Sequence, residues 1–358
     1  MGNRPRKKNS VKETQNKNIL LVDGNALFKL GFFGAKNMFS KDGKHIGGLF
    51  AFITILRKLI QDRMYHRVFV FWDGKFSGRM RWELYPNYKA SRNKDYINGT
   101  HPVDIQEVTE KFLIRQYLEE LCIRQMIDNS KIGVEADDFI AYYCKIKSSD
   151  EKITICTSDR DLCQLINEDV RIYLCDKKEY IDIDNYHEHF KHHYKNSKLI
   201  KIIGGDNSDD IKGISGVKET TLLKHFPQLT EREVTLDEII NSAKEIQEKR
   251  ILEKKKPIKA LTNIIESKTD GVQGKDIYEI NKLIIDLSNP LIDDKNRALL
   301  EYNKGPMGDL ESRGIKNVYS YMKRDGVSNE IHSFSTNYLL PFKKLIERER
   351  KESNLIKD

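Results

Sequence analysis

No run in this sequence approaches the ~18 apolar residues needed to cross a membrane. Its start lacks the order of a secretion signal, so the expectation is a cytoplasmic chain with no membrane role. The five cysteines are odd in number and show no C-x-x-C spacing, which removes the usual metal and redox motifs. Cys122, Cys144, Cys156, Cys163 and Cys175 all sit in or beside apolar segments, as free thiols of a reducing compartment do. No His, Ser or Cys constellation for nucleophilic catalysis is present, and four histidines, His187, His189, His192 and His193, read as a solvated helix face. There is no repeat and no low-complexity tract.

What is present is charge. At 358 residues the chain has room for one large domain or two ordinary ones, and 39% hydrophobic against 32% charged residues describes a globular protein with a highly charged surface. A net charge of +8 alongside clustered acids suggests a basic surface around an acidic hole, which suits nucleic acid. Residues 1–18 carry six basic side chains against Glu13 alone and almost nothing apolar, the composition of a disordered tail.

The acids fall in a pattern. Ile19 to Val22 reads as a buried strand ended by Asp23, Val68 to Trp72 as a second ended by Asp73, and Ile153 to Cys156 as a third leading to Asp159 and Asp161. Between them, Glu135 and Asp138 share a face at the start of a helical run, with Asp137 beside them. Acids also cap helices as a matter of course. Their repetition at strand ends favours a metal site, because parallel sheets bind ligands at the carboxyl ends of their strands. Carboxylates converging in a low-dielectric pocket repel, and a hard divalent cation removes the repulsion. Ligation by oxygen alone favours magnesium or manganese.

Gly48 to Met64 reads as a helix with Leu49, Phe52, Ile53, Leu56 and Leu59 on one face, and residues 104–128 as one long helix. Between strand two and that helix lies a charged excursion, Arg81 through Gly99, in which Lys89 and Arg92 would share a face if a helix starts there. Further on, Gly205-Asp206-x-x-Asp209 and Gly213-Ile-Ser-Gly216 punctuate a turn before a helical run from Lys218 to Phe226. Gly213 and Gly216 allow tight turns, and the next helix can present amides to a phosphate. Ile277 to Leu287 should dock on the core, and Leu339 to Arg350 should be helical.

Taken in order, Asp23, Asp73, Gly133-Val-Glu-Ala-Asp-Asp138, Ser158-Asp-Arg-Asp161 and Gly205-Asp-x-x-Asp-x-Ile-x-Gly213 resemble the 5′-nuclease, or flap endonuclease, superfamily over roughly residues 19–290. The likeness is to the 5′→3′ exonuclease domain of bacterial DNA polymerase I and to bacteriophage flap endonucleases. Tyr85-Pro-x-Tyr-Lys-x-x-Arg92 resembles the start of that family's helical arch, and residues 201–226 its helix-three-turn-helix. The resemblance implies an α/β, PIN-like (resolvase-like) core with a mostly parallel sheet over 19–190, including an arch at about 80–105. It implies a helical DNA-binding region over 191–290, and leaves 291–358 as a helical extension of unknown role. Asp23, Asp73, Glu135 and Asp137 would hold one Mg2+ or Mn2+, and Asp159, Asp161, Asp206 and Asp209 would hold or position a second, with Asp138 supporting the set. Lys89 and Arg92 match the catalytic cations of the arch. Arg81, Tyr88, Lys212, Gly213, Gly216, Lys218 and Thr220 would meet DNA, with a K+ site at the hairpin. Lys218, Thr220 and Asp210 depart from the residues usual in that hairpin. The implied protein is a monomer acting on branched or 5′-ended DNA and RNA–DNA hybrid, beside replication proteins. Two rivals remain: a PIN-type ribonuclease, which would need neither the arch nor the hairpin, and a non-catalytic DNA-junction binder whose acids merely cap helices.

Overall fold

The apolar run at Ile19–Val22 becomes the centre of a six-stranded sheet, and the strand patterns that follow take places on either side of it. The computed structural model describes residues 16–91, 104–269, 277–308 and 310–354. The strands are β1 (Lys17–Asp23), β2 (Arg67–Trp72), β3 (Arg124–Ile127), β4 (Glu151–Thr157), β5 (Val170–Leu174) and β6 (Glu179–Ile181). They lie in the order β3-β2-β1-β4-β5-β6, parallel except for β6. The chain first builds outward from β1 through β2 to β3, then returns to lay β4 on the other side of β1. The gap between the ends of β1 and β4 is therefore the topological switch point, where open α/β sheets bind their ligands.

Alternation along β1 fixes the two faces of the sheet. Leu20 and Val22 join one core with Val68, Val70 and Trp72, whereas Ile19 and Leu21 join the other with Phe69 and Phe71. On the first face lie α1 (Gly24–Gly34), α2 (Gly47–Asp62) and, beyond the short α3 (Arg79–Leu84), α4 (Ile105–Glu120). On the second lies α5 (Ala136–Lys145), whose Phe139, Ile140 and Tyr143 are fully buried. A third apolar cluster joins α6 (Ser197–Gly204), α7 (Glu219–His225), α8 (Leu236–Leu252), α9 (Lys259–Ile265) and α10 (Ile277–Ile285). Between α6 and α7 runs the two-residue hairpin β7 (Gly205–Asp206) and β8 (Ile211–Lys212), so the expected helix, hairpin and helix are present. Then come α11 (Asp294–Lys304), α12 (Ile315–Arg324) and α13 (Leu340–Asn354).

Residues 104–128 are not one helix. Cys122 takes a left-handed φ of 55°, which stops α4 at Glu120 and lets Arg124–Ile127 pair with β2. Val108 and Phe112, apolar positions within that helix, are 52% and 58% exposed, and its buried residues are Glu110, Ile114, Tyr117 and Leu118. Of the expected arch, α3, the turns through Ser91 and the start of α4 are described, while residues 92–103 lie outside the described residues.

The stretch beyond Pro290 is built into both faces of the core: Ile292 and Leu300 join the second, while Val318, Met322, Phe342, Leu345 and Ile346 pack on the first with Leu56, Leu118 and Leu121. Glu349 pairs with Arg124 in a nearly solvent-free contact, and the Arg124 guanidinium also donates to Asn303 O and Gly305 O. Among the described residues no helix is long and apolar enough to cross a membrane.

Candidate active site

Four acids are delivered by the ends of three strands. Asp23 ends β1 and caps α1, its Oδ1 accepting from Ala26 N at 2.9 Å and its Oδ2 from Thr157 Oγ1 at 3.0 Å. Asp73 follows β2 and accepts from Ala136 N at 2.9 Å, Ser77 Oγ at 2.8 Å and Asn25 Nδ2 at 2.6 Å. Asp159 follows β4 and caps the 3-10 turn Arg160–Leu165, which carries Asp161. Glu135 stands at the N-cap of α5 and Asp137 in its first turn. Asp128 sets that approach: its carboxylate accepts from the amides of Ser130, Gly133 and Val134, fixing the loop that enters α5.

Electrostatics show how closely these groups are crowded. Asp137 is pushed well above the usual carboxylate range by burial, then by Asp159, Asp23, Asp73 and Glu135. Asp23 is raised to about 7 by burial, then by Asp73 and Asp159, against the lowering pull of the Ala26 amide. Asp161 also reaches about 7, through burial and Asp159, although Lys201 pulls it down. Carboxylates pushed upward by burial and by one another are the donor set of a hard divalent cation, and among the described residues of this array the ligands on offer are oxygens. Among the described residues no three His, Cys, Asp or Glu side chains form a ready-made ion-holding group. Glu135, Asp161 and Asp206 are instead paired with side-chain cations.

Lys89 Nζ donates to Glu135 Oε1 at 2.6 Å and lies 3.9 Å from Asp209 Oδ2. Arg81 Nη1 donates to Glu135 Oε2 at 2.6 Å, and Tyr88 OH to both oxygens of Glu135 at 3.2 and 3.0 Å. Burial acts upward on Glu135, but Lys89 and Arg81 outweigh it and hold the group at about 2. On the other side Lys201, from α6, bridges Asp161 and Asp206, the latter at 2.7 Å. Asp206 is held below the usual range: burial acts upward, and Lys201 and Ser208 outweigh it.

Asp138 stands behind the set and meets it through Arg81: it is fully buried, both of its oxygens accept from Arg81, which also holds Glu135, and its Oδ1 accepts from Leu291 N as well. One residue on from Asp137 is a turn of about 100° around the helix, which takes its side chain away from the site. Arg81 and Tyr88 do not present themselves to DNA, since both are buried as supports of Glu135. Lys89 is not on a helix either. It has a left-handed φ of 51°, its amide donates to Asp209 O at 2.9 Å, and Arg92 lies outside the described residues.

The family model described as the 5′-3′ exonuclease N-terminal resolvase-like domain matches residues 18–193. A 5′-3′ exonuclease of Bacillus subtilis is 30% identical over 221 residues, 58% of this chain and 69% of that one. The chain belongs to the 5′–3′ exonuclease family. The DNA polymerase I of Bacillus subtilis is 28% identical, and the chain spans only about a quarter of its length, 26%. In architecture this family member is similar to the bacteriophage T5 flap endonuclease, with a TM-score of 0.53 at 17% identity over 93% of this chain and 100% of that one.

In this member of the 5′–3′ exonuclease family the hairpin carries Asp206 and leads into a basic stretch. Lys212, Gly216, Lys218 and Thr220 are exposed there. Gly213 is required by contact, since a Cβ would stand 2.1 Å from Gly204 C, and Gly216 by its φ of +75°. Of the four histidines expected on a solvated face, His187 is exposed and His189 and His193 are half-buried, but His192 is buried between Tyr186 OH at 3.0 Å and Glu219 at 2.8 Å, tying the first turn of α7 to the core. Sequence reasoning missed Lys201, whose signal was a cation set between Ile200 and Ile202 in a largely apolar helix. It also missed Thr157, which links Asp23 to Asp159.

Proposed function

We propose that this chain is a metal-dependent, structure-specific 5′-nuclease that cleaves phosphodiester bonds at 5′ ends and flaps of branched DNA and at RNA primers in RNA–DNA hybrid. The observation that carries the reading is the array of acids at the switch point, in which burial and neighbouring carboxylates hold Asp23, Asp137 and Asp161 above the usual carboxylate range. Asp23, Asp73, Glu135 and Asp137 would hold one Mg2+ or Mn2+, and Asp159, Asp161, Asp206 and Asp209 would hold or position the second. Bound there, such ions polarise the phosphate, generate the nucleophile from water and neutralise the leaving oxygen. The protein's own part is positional. Asp128 and Asp138 with Arg81 hold the entrance of α5 rigid, Thr157 keeps Asp23 and Asp159 in register, and Lys89 offers a cation to charge building on the phosphoryl oxygens. Lys212 and Lys218 hold the duplex by its phosphates, with K+ completing the hairpin. The enzyme works as a monomer beside replication proteins.

The test is cleavage of end-labelled 5′ flap, nicked duplex and RNA–DNA hybrid, with and without magnesium, by the natural chain and by Asp159→Asn/Asp161→Asn. Cleavage that needs magnesium or manganese, and is lost in the double variant while junction binding persists, is the expected result. Full activity in excess chelator or in the double variant overturns the two-metal reading. Cleavage confined to RNA would favour a PIN-type ribonuclease, and binding without cleavage a junction protein.

A further inference from the structure

Two lysines divide the carboxylate array between them. Lys201 comes from a helix whose neighbouring side chains, Ile200, Ile202 and Ile203, are all buried, yet it leaves that apolar setting to join Asp161 from the 3-10 turn to Asp206 from the hairpin. Lys89 does the same on the opposite side, joining Glu135 to the neighbourhood of Asp209. The second oxygens of two of these acids are also taken. The other oxygen of Glu135 accepts from Arg81 and Tyr88, and the other oxygen of Asp206 accepts from the amide and hydroxyl of Ser208, at 2.8 and 2.5 Å. A magnesium ion sits about 2.1 Å from its ligand oxygens. An ion on the carboxylate oxygen that a lysine already holds would therefore stand almost in contact with the ammonium, cation against cation.

We propose that Lys201 and Lys89 are resident counter-ions of the metal-free site, and that divalent metal enters by displacing them. The inference rests on the metal-dependent reading above. Lysine suits the task because its ammonium is a compact point charge on a flexible stem. Here the two side chains are 27% and 20% exposed, so each can swing out without unpacking a core. Displacement also changes what Lys89 touches. Its backbone stays pinned by Lys89 N to Asp209 O and Ser91 N to Asp210 Oδ2, so the freed ammonium remains at the rim of the site, where a phosphate would arrive. Metal loading and presentation of the Lys89 cation are then one event.

The test is Mn2+ affinity at about pH 8 without DNA, read by titration calorimetry and by the spin-resonance signal of free Mn2+, for the full chain and for Lys201→Met, Lys89→Met and Lys201→Arg. A lysine that merely organises the ligands predicts weaker metal binding when it is removed, whereas a displaced counter-ion predicts tighter binding. Each Met variant is expected to bind Mn2+ about tenfold more tightly, the equivalent of one charge-assisted hydrogen bond that metal no longer has to break, and Lys201→Arg to stay near the natural chain. Circular dichroism establishes that each variant is folded, and Lys89→Met decides the matter if Lys201→Met is not. Equal or weaker Mn2+ binding in a folded Met variant overturns the exchange while leaving metal dependence standing. Failure of the natural chain to bind Mn2+ at millimolar concentration overturns both.

Discussion

Replacing Asp23 by Asn should stabilise the metal-free protein. The folded-state pKa of Asp23 is raised from 3.8 to about 7, so the native protein holds this proton more tightly than the unfolded chain does. Stability from that proton is therefore complete below about pH 3.8 and is lost progressively as pH rises towards 7. At about pH 8 the ionised carboxylate costs roughly 4 kcal/mol, taking ~1.36 kcal/mol per pKa unit. Asn removes the charge and keeps the shape. It is as good an N-cap as Asp for α1, and its amide can face the Thr157 hydroxyl, which both donates and accepts. For a chain of this length roughly 4 kcal/mol corresponds to about 5 °C in Tm. The assay is thermal unfolding followed by circular dichroism in EDTA at about pH 8 and pH 5. The Asn variant should melt higher at pH 8, with its advantage falling below about 2 kcal/mol at pH 5. Saturating Mg2+ or Mn2+ should reverse the order, because an ion that binds only the native state stabilises the natural chain more. An Asn variant no more stable in EDTA at pH 8, or one whose advantage ignores pH, would refute the reasoning.

Lys89→Ala should lower single-turnover cleavage of a 5′ flap by about 10²–10³, the effect of removing one preorganised donor; a loss under about threefold would count against it. Gly216→Pro should weaken duplex binding in calcium, because proline's φ near −65° cannot meet the +75° observed. An unchanged affinity, or an unchanged dependence on salt, would show that the hairpin is not the duplex clamp. Glu349→Ala leaves the Arg124 guanidinium buried without its carboxylate and should destabilise the fold by about 3 kcal/mol in urea unfolding; under about 1 kcal/mol would mean that the pair is replaceable.

The strand-end acids were legible because a buried β run closed by Asp is a short-range pattern, and three in step mark one edge of a parallel sheet. Nothing local distinguishes Asp137 from Asp138, or an Arg81 that reaches phosphate from one that reaches Glu135. Those assignments depend on contacts far along the chain, where Leu291 N donates to Asp138 and Ile284 O accepts from Arg81. The break at Cys122 was hidden for a similar reason. Leu118, Leu121, Cys122 and Ile123 form an apolar stretch that suits helix and strand alike, and pairing with β2 decides between them. The helical pattern of Leu339 to Arg350 was readable, but not the surface it would cover.

That covering has a consequence for how the protein is made. Arg67 bonds Glu352 across 285 positions of sequence, Thr54 meets Tyr338 across 284, and Arg124 meets Glu349 across 225. At a synthesis rate of about 5–20 residues per second, the apolar flank of α2 waits roughly 15–60 s on the ribosome before α13 exists to close it. Late in that interval Leu56 and Phe52 belong to a half-built core that already has its central strands and its acids. Folding of so non-local a topology should be slow, and a nascent chain stalled before residue 340 should be a client for chaperones, with apolar surface open beside an otherwise finished sheet.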